Sequence, residues 1–211
     1  MKVAVLGGTG KMGRAIAQQL SRSNEVIIGS RDPARARESA KGIRGAVGMD
    51  YSGACRDADA VVFAIPYSAI SEAAQLREYL VGKLVVSVIN PLKVEGGMLR
   101  FAPRGGSAAE ELAKMLPGSR VGTAFNHVSS LFFEGEEVAP MDILVAADGK
   151  NTFDEIAGLV RSIPNLRPLH AGPLSEAGII EGMTALLLNI AKLNRTGSLA
   201  TRFVSTKDRA R

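Results

Sequence analysis

Six residues near the start of the chain, Gly8-Thr9-Gly10-Lys11-Met12-Gly13, carry the spacing G-x-G-x-x-G. That pattern can cradle a pyrophosphate. The first glycine permits a tight turn, the second lets phosphate oxygens approach the backbone, and the third lets a helix pack close to the strand. Unpaired N–H groups and the dipole at the helix start then favour an anion. The pattern means little outside a strand–turn–helix context. Here the context is right: Lys2–Leu6 is a short apolar run expected as a strand, and Arg14–Leu20 has helical character.

A second set lies at the end of the next apolar run, where Glu25–Gly29 is expected as a buried parallel strand. Sites that select NAD place an acidic residue here for the ribose 2′-hydroxyl, whereas an arginine accommodates the 2′-phosphate of NADP. The chain offers Ser30, Arg31 and, one helical turn later, Arg35. Asp32 follows the arginine and is expected to cap the helix beginning at Pro33. A hydroxyl plus guanidinium forks suits a phosphate dianion better than a neutral diol. The expected cofactor is therefore NADP(H).

Other chemistry is sparse. The chain has two histidines and one cysteine. His127 follows an expected strand end and is a candidate lining residue or a structural one. His170 lies beside Gly172-Pro173, with less reason to touch a ligand. Cys55 sits in a polar stretch and reads as an unreactive side chain. There is no Cys-x-x-Cys, His-Glu-x-x-His or Gly-x-Ser-x-Gly, so neither metal nor hydrolase chemistry is expected. A substrate that itself gives or takes hydride, such as a flavin-like ring, needs little acid–base help. Orientation of two stacked rings can supply several kcal/mol, with ~7–11 as the upper range.

The elements that must position these residues alternate. Helix Pro33–Gly42 is followed by a strand Gly45–Met49 and a short helix or turn Tyr51–Arg56. Ala60–Ile65 is a strongly apolar strand stopped by Pro66. In a doubly wound sheet ligands sit beyond the carboxyl ends of the strands, so Ile65 and Pro66 are expected near the nicotinamide half of the cofactor. Tyr67 is a stacking or rim residue. Helix Ser68–Leu80 leads to strand Lys83–Ile89, whose end, Asn90-Pro91, returns to the ligand edge. Val94–Gly106, with two glycine pairs, is expected as a loop or lid. Ser107-Ala108-Ala109-Glu110 reads as a capping box for a helix to about Leu116. Strands Arg120–Ala124, Met141–Ala146 and Leu166–Leu169 follow, with a helix from Thr152 to Ile163. The alternation predicts an α/β, doubly wound, mostly parallel Rossmann sheet. From Ser175 a helix with a wide apolar face (Ile179, Ile180, Met183, Leu186, Leu187, Ile190, Ala191, Leu193) forms a short C-terminal helical appendage. It is expected to cover the cofactor cleft or to pair with a second copy. The expected division is 1–172 for the nucleotide-binding unit and 173–211 for helix and tail.

Bulk properties agree. The chain has 211 residues, 46% of them hydrophobic, a net charge of +5 and a pI near 9.6. The charge favours anionic partners. With 5% aromatics, no tryptophan and no nucleic-acid motif, phosphorylated cofactors fit better than nucleic acid. The basic residues Lys207, Arg209 and Arg211 read as a solvated end. No apolar run reaches the ~18–20 residues of a membrane span, no signal peptide precedes the first strand, and a lone cysteine fits a reducing cytoplasm.

Taken together, these residues resemble the NADPH-dependent coenzyme F420 reductases (F420H2:NADP oxidoreductases) over nearly the whole length. The resemblance rests on Val5-Leu6-Gly7-Gly8-Thr9-Gly10, Gly29-Ser30-Arg31, Ile65-Pro66 and Ser107-Ala108-Ala109-Glu110. It is most specific in Arg167-Pro168-Leu169-x-Ala171-Gly172-Pro173-Leu174-Ser175 and the helix containing Leu188-Asn189-Ile190. It implies reversible hydride transfer between C4 of the nicotinamide and C5 of the deazaflavin, with coenzyme F420 as second substrate. It also implies 2′-phosphate contacts from Thr9, Ser30, Arg31 and Arg35, and a dimer. Where members carry a His-Thr-Ile-Pro-like segment along the deazaflavin pocket, this chain has Asn126-His127-Val128-Ser129. Asn126 and His127 are thus the expected lining residues, with no catalytic acid or base assigned. An NADPH-dependent reductase of a flavin or of a small carbonyl or imine is the alternative, followed by a non-catalytic NADP sensor.

Overall fold

A computed structural model describes residues 1–135 and 137–206; the basic cluster at Lys207, Arg209 and Arg211 lies outside the described residues. The first half alternates strand and helix: β1 (Lys2–Leu6), α1 (Lys11–Leu20), β2 (Glu25–Ser30), α2 (Pro33–Lys41), β3 (Val47–Asp50), α3 (Tyr51–Asp57) and β4 (Ala60–Phe63). A 3₁₀ stretch, Tyr67–Leu76, runs into the short α4 (Arg77–Leu80) and then β5 (Leu84–Ser87). A hairpin of β6 (Leu92–Glu95) and β7 (Met98–Phe101) precedes α5 (Ala108–Met115) and β8 (Arg120–Thr123). The chain closes with β9 (Met141–Ala147), α6 (Lys150–Arg161), β10 (Leu166–Gly172) and α7 (Ala177–Asn194).

The eight-stranded sheet has the order β10-β9-β8-β5-β4-β1-β2-β3. Strands β3, β2, β1, β4, β5 and β8 are parallel, with the order reversing beside β1, where open α/β sheets bind ligands. β4 and β5 are fully buried and β1 and β2 are buried apart from their first residues, while β3 is the more exposed edge, and separate hydrophobic clusters cover each face of the sheet. β9 breaks the parallel series. It meets β8 antiparallel through Gly122↔Ala147 and Thr123↔Ala146, so its first five residues run on beyond the end of β8. β10 lies parallel to β9. The sheet therefore projects past its own ligand edge on this side.

Two sequence expectations are corrected. Val94–Gly106 is no open loop but holds most of an antiparallel hairpin, turned at Gly96 (φ 57°) and Gly97 (φ 74°). Consecutive positive φ values define the tight turn that matches strand twist. The Asn189 side chain then acts as a short strand neighbour: it accepts from Leu99 N at 2.9 Å and donates to Leu99 O at 2.8 Å. Gly178 and Gly182 on α7 leave room for the Phe101 ring, 3.6 Å from where their Cβ atoms would be. The stretch after Pro66 is 3₁₀ and not α. Its buried residues, Ile70, Ala73 and Leu76, recur every third position, the period of a 3₁₀ helix.

α7 also departs from the reading that no segment is long enough to span a membrane. Leu174–Asn194 is 21 residues, long and apolar enough by length and composition. Its polar groups are nonetheless engaged by the rest of the chain. Glu181 accepts from Ala108 N (2.9 Å) and Ala109 N (3.0 Å), capping α5, and Thr184 donates to Asn126 O at 2.8 Å. Ser107 caps the same end of α5, accepting from Glu110 N at 3.1 Å while donating to its carboxylate at 2.9 Å.

Candidate functional site

Two concave regions flank the glycine turn. The first, about 500 Å³, is lined by Gly7, Thr9, Gly10, Ser30, Arg31, Asp32, Arg35, Tyr51 and Ala64-Ile65-Pro66. The second, about 250 Å³, lies at the ends of β5 and β8 under α7. Its walls include Met12, Val88, Asn90, Asn126, His127 and Thr184, with Leu187 and Leu188 from α7 and Ser198 and Leu199 from the tail. Its volume is at the small end for ligand pockets and suits a ring system, not a whole cofactor.

The glycines divide the expected labour differently from the motif reading. The left-handed turn is at Gly7 (φ 81°), where a Cβ would come 2.5 Å from Ala64 O. Gly8 is also confined, with Val5 O 2.9 Å from a Cβ position, and Gly13 has Gly7 O at 2.4 Å, which is the close helix–strand approach. Gly10 is exposed and meets only Gly7 O at 3.3 Å, leaving its outer side open to a ligand. Lys11 is the exposed first residue of α1, whose first turn holds no acidic residue. Thr9 and Gly10 thus face the first cleft and Met12 the second cavity.

Ser30, Arg31 and Arg35 converge on the first cleft. Ser30 is buried, and its Oγ accepts from Asp32 N at 3.3 Å. Asp32 caps α2 by accepting from Ala34 N (2.8 Å) and Arg35 N (3.4 Å), which engages its carboxylate with the backbone. Arg31 pairs with Glu72 at 3.3 Å in an exposed contact that binds it weakly. Ile65 and Pro66, expected near the nicotinamide half of the cofactor, line this first cleft. The absence of a side chain at Gly7 lets the segment after β4 lie close against the glycine turn. Tyr67 lines neither region. Its hydroxyl lies 2.5 Å from Glu111 Oε1 and accepts from Arg104 N at 2.6 Å.

Asn90, Asn126 and His127 meet at the second cavity. Asn90 Nδ2 donates to Asn126 O at 2.8 Å, and Asn126 Nδ2 donates to Ile89 O at 3.2 Å. The Thr123 hydroxyl lies 2.6 Å from Asn126 Oδ1 and 3.0 Å from Ser87 O. Just before them Phe125 is buried at φ 65°, a left-handed conformation rare for a bulky side chain and concentrated at functional sites. His127 is buried, and its Nε2 donates to Asp142 O at 3.0 Å. That bond leaves Nδ1 as an acceptor, and it is buried with no partner among the described residues. Burial also lowers the imidazole pKa, against the pull of the Asp142 contacts, so the ring is held neutral. His170 is exposed, its ring edge-on to Phe153 at 4.5 Å, away from both regions. Cys55 is buried and its thiol is pushed up to about 12, an inert group.

Sequence reasoning missed Thr184, Ser198, Leu199 and Asp142. Asp142 did carry a signal: it is the single charge in the apolar strand Met-Asp-Ile-Leu-Val-Ala-Ala.

Residues 2–91 match the family described as NADP oxidoreductase, coenzyme F420-dependent. The chain is 34% identical over 206 residues to the F420-dependent NADP reductase of Methanocaldococcus jannaschii, covering 90% of this chain and 92% of that one. Against the F420-dependent NADP reductase of Methanothermobacter thermautotrophicus identity is 34% over 221 residues, with 97% and 95% covered. The chain belongs to the F420-dependent NADP reductase family. A solved chain from Arthrobacter sp. fb24 that carries a provisional name of the same kind superposes with a TM-score of 0.85 at 23% identity, covering 97% of this chain and all of that one. An imine reductase from Bacillus cereus BAG3X2 superposes at 0.68 with 18% identity, over 92% of this chain and 63% of that one. These last two matches speak to the fold alone, and the family's mostly parallel Rossmann sheet is the one described above.

Proposed function

We propose that the protein transfers a hydride between NADP(H) and coenzyme F420. The carrying observation is the pair of regions on either side of one glycine turn: a cationic cleft with Ser30, Arg31 and Arg35, and a small, mainly apolar cavity. Together they support an extended dinucleotide whose phosphate-bearing end lies on Arg31 and Arg35, whose pyrophosphate crosses Gly10 and the start of α1, and whose ring reaches the cavity. Bound there, nicotinamide and deazaflavin supply the hydride donor and acceptor. Thr9, Ser30, Arg31 and Arg35 hold the 2′-phosphate, Met12 and Asn90 shape the ring side, and Asn126 and His127 line the deazaflavin side. α7 and the tail exclude water. His127, neutral and fixed by Asp142, offers a hydrogen-bond acceptor without needing to ionise. Hydride addition to the deazaflavin gives an anion that takes one proton from solvent, and the reverse reaction returns it, so no acid or base of the protein is assigned to the step.

Mixing protein, NADPH and oxidised F420 should bleach the F420 absorbance in proportion to NADPH consumed. Absence of turnover with F420 but rapid flavin reduction would favour the flavin reading, which the Asn126-His127-Val128-Ser129 departure makes specific. Tight NADPH binding without any turnover would favour a sensor. Residues 1–172 serve as the nucleotide-binding unit in this reading, and 173–211 as cover for the cavity. The protein works as a cytoplasmic homodimer with small-molecule partners and without a membrane or nucleic acid. The exposed stripe Ile179, Leu186, Ile190 and Leu193 on α7 supports the dimer.

A further inference from the structure

Asp142 is one of the few charged side chains in the interior, 1% exposed, and lies on the part of β9 that runs past the end of β8. Every polar group of this residue is used: one partner, His127, lines the second cavity, and two others, Thr201 and Phe203, lie on the tail that supplies the wall residues Ser198 and Leu199. Its N–H donates to Thr201 O at 3.0 Å, and Phe203 N donates to its Oδ2 at 2.5 Å, so the extended tail is laid alongside β9. Arg167 clamps the carboxylate from β10, donating from Nε to Oδ1 at 2.7 Å and from Nη2 to Oδ2 at 2.9 Å. The same Nη2 donates to Phe203 O at 2.7 Å. Toward the sheet, the Asp142 carbonyl receives His127 Nε2. The tail held this way brings Ser198 Oγ to 3.1 Å from Ser129 Oγ and sets Leu199 as a cavity wall.

We infer that Asp142 is the positioning residue of the hydride-acceptor pocket, fixing the tail wall (Ser198, Leu199) with its N–H and carboxylate and the imidazole wall (His127) with its carbonyl. The inference rests on the reading of this cavity as the acceptor site. Its chemistry is specific. A carboxylate can accept from a bidentate guanidinium and a backbone N–H together, whereas an amide of the same size must turn an NH₂ toward one of these donors. The first cleft shares none of these contacts. Losing the anchor should therefore weaken the acceptor far more than the nucleotide, whose phosphate contacts lie in the first cleft.

The test uses two full-length variants assayed by varying NADPH and F420 separately. Asp142→Asn alters the anchor from the strand. Phe203→Pro removes the tail N–H at a half-exposed position (48%) and leaves the interior intact, so it stands even if the first variant folds poorly. Both should raise KM for F420 roughly tenfold, the usual scale for losing a charge-assisted contact, with KM for NADPH within about twofold. Faster hydrogen exchange across residues 198–203 should accompany the change. Unchanged KM for F420 in both variants, or equal losses for both substrates, would overturn the positioning role while leaving the function standing. A wild-type protein that reduces neither F420 nor FMN would instead bring down the reading of the cavity, and this inference with it.

Discussion

At the scale of single residues, the proposed selectivity for NADP rests on Arg31 more than on its neighbours. Its guanidinium is largely exposed and its contact with Glu72 is solvent-screened, so a phosphate dianion can replace that partner at small cost. Arg31→Asp exchanges attraction for repulsion at the same point. It should raise KM for NADPH roughly ten- to hundredfold while changing KM for NADH little. Steady-state kinetics with the two nucleotides decides this, and equal losses would remove Arg31 from the 2′-phosphate site. Ser30, Arg31 and Arg35, which the fold gathers in one cleft, stood out in the sequence because a phosphate site calls for particular side chains next to a recognisable strand end. Asp142 and Thr184 were not, because their importance comes from partners distant in the chain. A lone aspartate in an apolar strand signals that something pairs with it but not what.

Among the elements, the junction of α5 and α7 has a pH dependence of its own. Glu181 lies wholly buried on α7 and caps α5 through two N–H groups. Burial raises its carboxyl from 4.5 to about 7, helped by the nearby Glu110 and Glu111 and opposed by the two N–H donors. The folded protein then binds more protons than the unfolded chain between those values. Stability from this group is greatest below pH 4.5 and declines as pH rises through 7, by on the order of 3 kcal/mol in total. His127 acts with opposite sign below its ordinary value, since its lowered pKa favours folding as pH rises. Melting temperatures of wild type and Glu181→Gln across pH 5–8 cancel that shared contribution, and the wild type should lose ground relative to the variant as pH increases. Parallel curves would show that Glu181 does not titrate in this range. Element type was readable where apolar runs were long, as in β1, β2 and β4, and in the capping box at Ser107. The reversed direction of β9 was not. Strand direction follows from how the connections pack, and Met141–Ala147 looks the same either way round.

For the whole molecule, the exposed side of α7 is the feature left unburied within a single chain. Ile179, Leu186, Ile190 and Leu193 are 37–68% exposed and recur at helical spacing. Burying each against a second copy contributes about 1.5–3 kcal/mol at most. Leu186→Glu combined with Leu193→Glu should convert a dimer to monomers in light scattering after size exclusion, with the fold unchanged because both positions face solvent. A monomeric wild type would remove the dimer reading.

The two regions differ in how much of the chain they need. The cationic cleft draws its walls from residues between Gly7 and Pro66, all close in sequence. The second cavity joins Met12 to Leu199, contacts that close only when nearly the whole topology is in place. A nucleotide bound in the first cleft therefore ties its stabilisation to the N-terminal part of the sheet, and any gain in native-state stability follows from that binding. The acceptor has no surface to bind until folding is over.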